Sequence, residues 1–180
     1  MAHTFSCGCG TLAWQLATEA GGPRLRCYCA DCQAYAVALG ADDMLDAAGG
    51  TELFQTLPSA VTFTKGVEHL KALRLTPKGL MRWYAGCCKT PIANTLVHTR
   101  LPFVGMVVPV GSDRLGPLGA CVMTKRAKSP VREHGFARTG FSLLARGIGA
   151  RLRGDTSGAP FFDRGKPVLR AAVLSEGSAP

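Results

Sequence analysis

Short runs of alternating apolar and polar residues mark the first two thirds of the chain. Leu12, Trp14 and Leu16 alternate with Ala13, Gln15 and Ala17, the period-two pattern of a half-buried strand. Residues 52–55 and 61–64 predict two more short strands, separated by the turn-forming Leu57-Pro58-Ser59. Residues 70–75 and 80–84 flank Thr76-Pro77-Lys78-Gly79. That arrangement predicts a hairpin, because proline presets one turn dihedral and glycine accepts the other. Residues 92–98 and 104–110 add two further strands, and a short helix is predicted over 31–39, ended by Gly40. The class is mainly β.

From about residue 126 the pattern changes. Phe141, Leu144, Ile148 and Leu152 recur at intervals of three and four, which predicts an amphipathic helix over 137–153 with Arg138, Arg146, Arg151 and Arg153 around it. Gly147 and Gly149 each weaken that helix by roughly 1 kcal/mol relative to alanine. After Gly154 the chain is rich in Gly, Ser and Pro, with apolar islands at 160–162 and 168–174. The division is therefore a strand-rich domain over 1–125 and a basic extension over 126–180, packed on the domain or trailing it.

The 180 residues suit one domain with an extension, and 47% hydrophobic residues suffice for a core. The longest apolar stretch, 103–110, is interrupted by Gly105 and Pro109, far short of the roughly 20 residues that cross a bilayer. The N-terminal residues carry no basic start followed by an apolar run, so the expectation is a cytoplasmic protein, where thiols stay reduced. The net charge is +9, from 21 Lys and Arg against 12 Asp and Glu. Such a balance attracts nucleic acid, acidic membrane surfaces and acidic small molecules without choosing among them. The excess is concentrated in residues 125–153.

Eight cysteines change the picture most. In a reducing compartment, clustered cysteines read as metal or redox sites. Cys27-Tyr28-Cys29-Ala30-Asp31-Cys32 places three thiols within six residues. If a strand ends near Cys29 and a helix begins near Asp31, all three sulfurs can face one point. Three thiolates suit zinc and leave a fourth position open, the feature that separates catalytic from structural zinc. Thiol redox chemistry at Cys29 and Cys32 is the alternative. Cys7-Gly8-Cys9-Gly10 is a weaker signal, two thiols that converge when glycines allow a tight turn. Cys87 and Cys88 are adjacent, where a mutual disulfide would be strained, so ligand duty is expected for at least one. Cys121 lies in an apolar run and reads as core, and His3 and His98 read as ordinary residues.

Cys7-Gly-Cys9-Gly, then Cys27-x-Cys29-x-x-Cys32, then a hairpin leading to Cys88-Lys-Thr-Pro91 resembles the glutathione-dependent formaldehyde-activating enzyme (GFA or CENP-V) family over roughly residues 5–125. The resemblance implies an Mss4-like fold of zinc-bearing antiparallel sheets and one or two Zn2+ per chain. It implies that Cys7 and Cys9 serve a structural zinc with a later Cys-x-x-Cys, and that Cys27, Cys29 and Cys32 serve a second, catalytic zinc. It further implies a carbon–sulfur lyase acting on a glutathione, or other small thiol, adduct of formaldehyde or a related aldehyde. The departure lies at the later pair: the family's first cysteine is Ala85 here, and a new one stands at Cys87. Either Cys87 fills the vacancy, or three protein ligands and a water hold the ion, or that ion is lost; the reading preferred is that both Cys87 and Cys88 contribute. The competing function is a non-catalytic zinc module whose basic C-terminal segment binds an acidic partner, with nucleic acid disfavoured because no aromatic-interleaved motif accompanies the charge.

Overall fold

The computed structural model describes residues 2–112, 114–156 and 158–174. Thirteen strands and two α-helices appear among them. The strands are β1 (His3–Ser6), β2 (Ala13–Leu16), β3 (Arg24–Cys27), β4 (Thr51–Thr56), β5 (Val61–Lys65), β6 (Leu70–Arg74), β7 (Met81–Ala85), β8 (Pro91–Thr95), β9 (Val104–Val107), β10 (Leu118–Val122), β11 (Phe162–Asp163), β12 (Lys166–Pro167) and β13 (Ala172–Val173). Helix α1 spans Ala30–Leu39 and α2 spans Phe136–Leu152.

The mainly-β expectation is met. A three-stranded antiparallel sheet runs β1-β2-β5, and an eight-stranded sheet runs β10-β3-β4-β9-β8-β7-β6-β13. The larger sheet is mixed: its inner pairs are antiparallel, while β10 lies parallel to β3 and β13 parallel to β6. Long connections make this possible, since parallel neighbours need a crossover and cannot be joined by a tight turn. The Thr76–Gly79 hairpin forms as predicted, joining β6 to β7.

Successive side chains of a strand point to opposite faces, and the core divides accordingly. Phe54, Ala72, Trp83 and Met106 face one way and pack with Trp14, Leu16 and Val61 of the small sheet. Leu53, Leu73 and Val107 face the other way and pack with Tyr35 and Leu39 of α1. The eight-stranded sheet is thus the middle layer, with the small sheet on one face and α1 on the other. Phe161 is fully buried in the first core, edge-on to Phe63 and tilted against Trp83 at 5.2 Å. The apolar island after α2 therefore closes this core rather than hanging from it.

Helix α1 ends as its sequence suggests: Gly40 takes a left-handed φ of 63°, and its N–H caps the carbonyls of Ala36 and Val37. Helix α2 buries only Thr139, Gly147 and Ala150. A Cβ at Gly147 would stand 2.2 Å from a Leu101 methyl, so glycine permits the close seat of α2 on the body.

Candidate metal centres

Two groups of cysteines converge, Cys7/Cys9/Cys87/Cys88 and Cys27/Cys29/Cys32, with the sulfurs of each group within 4.8 Å of one another. All eight cysteines are free thiols. Either group could hold a metal ion.

The first group is built by two tight turns. After β1, the N–H of Cys7 donates to Leu12 O and that of Gly10 to Cys7 O, with Gly10 left-handed at φ 71°. This folds Cys9 back until its sulfur is 3.6 Å from that of Cys7. Between β7 and β8 the N–H of Ala85 donates to Thr90 O and that of Lys89 to Ala85 O, with Lys89 at φ 59°. The Gly8 N–H donates to Thr90 Oγ1 at 2.9 Å and ties one turn to the other. Cys87 Sγ then lies 3.7 Å from Cys7 Sγ and 3.4 Å from Cys9 Sγ, with Cys88 Sγ 3.9 Å from Cys87 Sγ. Ala85 is fully buried. The geometry thus brings both neighbouring cysteines, Cys87 and Cys88, into the group, while Ala85 stays in the core. Burial pushes the Cys88 thiol up, but hydrogen bonds with Thr90 and Cys9 outweigh it and bring the pKa down to about 6. That favours the thiolate, the form that ligates metal.

The second group sits at a strand-to-helix junction on the opposite face of the large sheet. Cys27 ends β3, Cys29 is the N-cap of α1, and Cys32 lies in the first helical turn. Cys29 adopts extended backbone, and its sulfur accepts from the Cys32 N–H at 3.4 Å. Hydrogen bonds with Cys27 and Cys32 hold the Cys29 thiol far below the usual range, and the Arg82 charge adds to this. The same contacts push Cys27 up. The helix N-terminus adds a partial positive charge there.

Strand β3 is locked in register by ion pairs. Glu52 is fully buried between Arg24 and Arg26; its Oε2 accepts from Arg24 Nη2 at 2.6 Å, and its Oε1 meets Arg26 Nη2 and the Gly111 N–H. Arg26 also pairs with Asp46 at 3.0 Å, and Asp46 accepts from the Tyr28 hydroxyl. These contacts fix the chain on both sides of Cys27.

Arg82, which the sequence reading did not single out, is the charged neighbour of this group. It is buried on β7, with Nη1 3.7 Å from Cys32 Sγ and 3.0 Å from Asn94 Oδ1, and its guanidinium lies 5.3 Å from the Tyr35 ring centre. Its signal was present in Met81-Arg82-Trp83-Tyr84, a lone charge in an apolar strand. A cavity of about 660 Å³ opens at Cys29, beside Asp31 of α1. Lys125, Arg126 and Glu133 supply its charge, and Met123 and Phe136 its apolar wall. Cys121 is buried beside Tyr28 and Ala48 and belongs to neither group. His3 and His98 also lie outside both.

No helix among the described residues is long and apolar enough to cross a membrane. No curated protein matches the chain. Among solved structures, the crystal structure of a Rhodobacter sphaeroides protein is similar to it at a TM-score of 0.44 and 15% sequence identity, over 64% of this chain and 97% of that one. A family model matches residues 2–172, and the chain belongs to that family, described as a family of unknown function (DUF6151).

Proposed function

We propose that the chain is a two-zinc protein of GFA-like design, whose central cysteine group works as a carbon–sulfur lyase on a glutathione, or similar small thiol, adduct of formaldehyde or a related aldehyde. The observation that carries this reading is the cavity at Cys29: a three-thiol group, one ligand short of a tetrahedron, opens onto a partly apolar space that offers both cations, Lys125 and Arg126, and acids, Asp31 and Glu133. The donor sets fit zinc, since soft thiolates in groups of three and four suit it among the common divalent ions.

In this reading Cys7, Cys9, Cys87 and Cys88 hold a structural zinc, and Cys27, Cys29 and Cys32 hold the second. A zinc with an open position supplies two things, a lower pKa for a bound thiol and polarisation of a carbonyl. The chain's own residues do the rest. Lys125 and Arg126 meet the carboxylates of a glutathione-like substrate at the cavity rim. Phe136 and Met123 cover its carbon–sulfur stem, and Arg82 offsets the negative charge of the cysteine group from beneath. The net reaction adds a thiol S–H across an aldehyde C=O: the carbon–sulfur bond forms, the C=O π bond breaks, and the proton passes from sulfur to oxygen. The reverse step is the lyase direction.

Zinc analysis of the wild type, Cys29→Ser and Cys88→Ser, followed by exchange NMR of glutathione with formaldehyde, tests the proposal. The expected result is two zincs in the wild type, one in each variant, and exchange above the uncatalysed rate that Cys29→Ser abolishes. Exchange at the background rate in zinc-loaded wild type overturns the lyase reading. It would leave the alternative, a non-catalytic zinc module whose basic C-terminal segment binds an acidic partner.

A further inference from the structure

Helix α2 is mounted with its apolar side outward. At 3.6 residues per turn, Phe141, Leu144, Ile148 and Leu152 fall on one side, and Thr139, Gly147 and Ala150 on the other. The small side is the buried one; the large apolar residues are 75%, 52%, 58% and 84% exposed. A water-soluble helix ordinarily does the reverse. Arg138 and Arg151 flank the outward stripe, both exposed, with the Arg151 guanidinium also donating to Arg100 O at 2.7 Å. Residues 136–153 contain no Asp or Glu.

From this arrangement we infer that α2 docks in the plane of an anionic phospholipid surface. Its apolar stripe enters the acyl boundary, and its arginines meet the lipid phosphates. The helix has the required parts: a continuous apolar stripe with an aromatic residue, cationic flanks, and a length short of a bilayer span. Charge decides among the occupants. A second copy laid on the same face would bring two arginine-bearing, acid-free helices together. A nucleic acid would meet the arginines but has no apolar surface to receive four large side chains. An anionic bilayer satisfies both halves at once. The inference is independent of the zinc chemistry and of any activity at Cys29.

The test is flotation of the full-length, zinc-loaded protein with vesicles of phosphatidylcholine alone and of phosphatidylcholine mixed with phosphatidylglycerol. Binding to the anionic vesicles only is expected, weakened by molar salt. The exposed double variant Leu144→Ser/Ile148→Ser should lose at least about tenfold in partitioning with an unchanged melting temperature. Arg138→Glu should lose at least about fivefold. Ile148→Trp should show a blue-shifted emission with anionic vesicles. Absence of binding to anionic vesicles, equal binding to both vesicle types, or undiminished binding by the double variant overturns the inference. Concentration-dependent dimerisation that the double variant abolishes, without vesicle binding, assigns the face to a second copy and overturns it too.

Discussion

The guanidinium of Arg82 lies 3.7 Å from Cys32 Sγ, and Arg82 is only 2% exposed. A buried cation is costly unless it is paired. Asn94 Oδ1 and the Tyr35 ring satisfy Arg82 in part, while Asp31 is 3.9 Å away and mostly exposed. The strong partner is the cysteine group itself. Three thiolates around a divalent ion leave one net negative charge, which one guanidinium balances. Residues behind a metal's ligands typically govern affinity by 10–100-fold. Arg82→Met is therefore expected to weaken metal at the Cys29 group by about that factor, with metal at the Cys7 group unchanged. Arg82→Lys, which keeps the charge and loses the fork, should fall between. Chelator competition on the folded variants measures this, and an unchanged affinity in Arg82→Met would remove Arg82 from the site's electrostatics.

Cys87 lies within the first cysteine group, with its sulfur nearer that of Cys9, at 3.4 Å, than those of Cys7 and Cys88. If it is a full ligand, Cys87→Ser lowers the metal count by one under mild chelation and lowers the melting temperature by several degrees. A structural thiolate site contributes directly to folding free energy. The Cys121→Ser control should leave the metal count alone, because Cys121 is outside both groups. Metal content and melting equal to wild type in Cys87→Ser would leave the site to three cysteines.

Glu52 gives a pH signature. Its burial raises the carboxyl's pKa, but hydrogen bonds with Arg26, the Gly111 N–H and Arg24 outweigh that and hold it below its ordinary 4.5. A carboxylate with a lowered native pKa stabilises the fold fully above its unfolded value and loses that contribution as pH falls through the native one. The contribution of Glu52 to stability should thus be constant from neutrality down to about pH 5, and fall below that. Glu52→Gln leaves two arginines without their buried counter-charge and should cost about 3–5 kcal/mol at neutral pH. The difference should shrink in acid. Denaturant melts across pH check it; a pH-independent difference would mean that the pair stabilises by shape alone.

How much of this was legible in the sequence depends on what each signal encodes. The β6–β7 hairpin and the end of α1 were legible because Pro77, Gly79 and Gly40 impose local backbone geometry. The Cys27/Cys29/Cys32 group was legible because six residues of spacing allow few arrangements. The inward setting of strand β3 was not: Arg24 and Arg26 look like solvent-facing charges, and only the arrival of Glu52 from β4 permits their burial. Strand β10 was hidden for a similar reason, since its place beside β3 rests on a long crossover. For α2, periodicity disclosed a stripe but not its direction. Direction is set by the close fit of Gly147 to Leu101, a contact across 46 positions that no local pattern records.

Two glycines of the α2 region should respond to alanine with opposite signs. Gly135 is the N-cap of α2 at a left-handed φ of 76°, and a Cβ there would stand 2.6 Å from Ala120 Cβ and 2.7 Å from Gly119 O. Alanine would face both the left-handed penalty and a backbone clash with β10, which cannot yield without moving the strand beside β3. Gly135→Ala should therefore destabilise by about 2–4 kcal/mol. Gly140 is exposed, has helical backbone, and would meet nothing within 4 Å. Gly140→Ala should stabilise by about 0.5–1 kcal/mol, because alanine restricts the unfolded chain and favours the helix. Parallel denaturant melts read both. If α2 were loosely attached, Gly135→Ala would leave global stability unchanged, because the strain would be released by detaching the helix rather than by shifting β10.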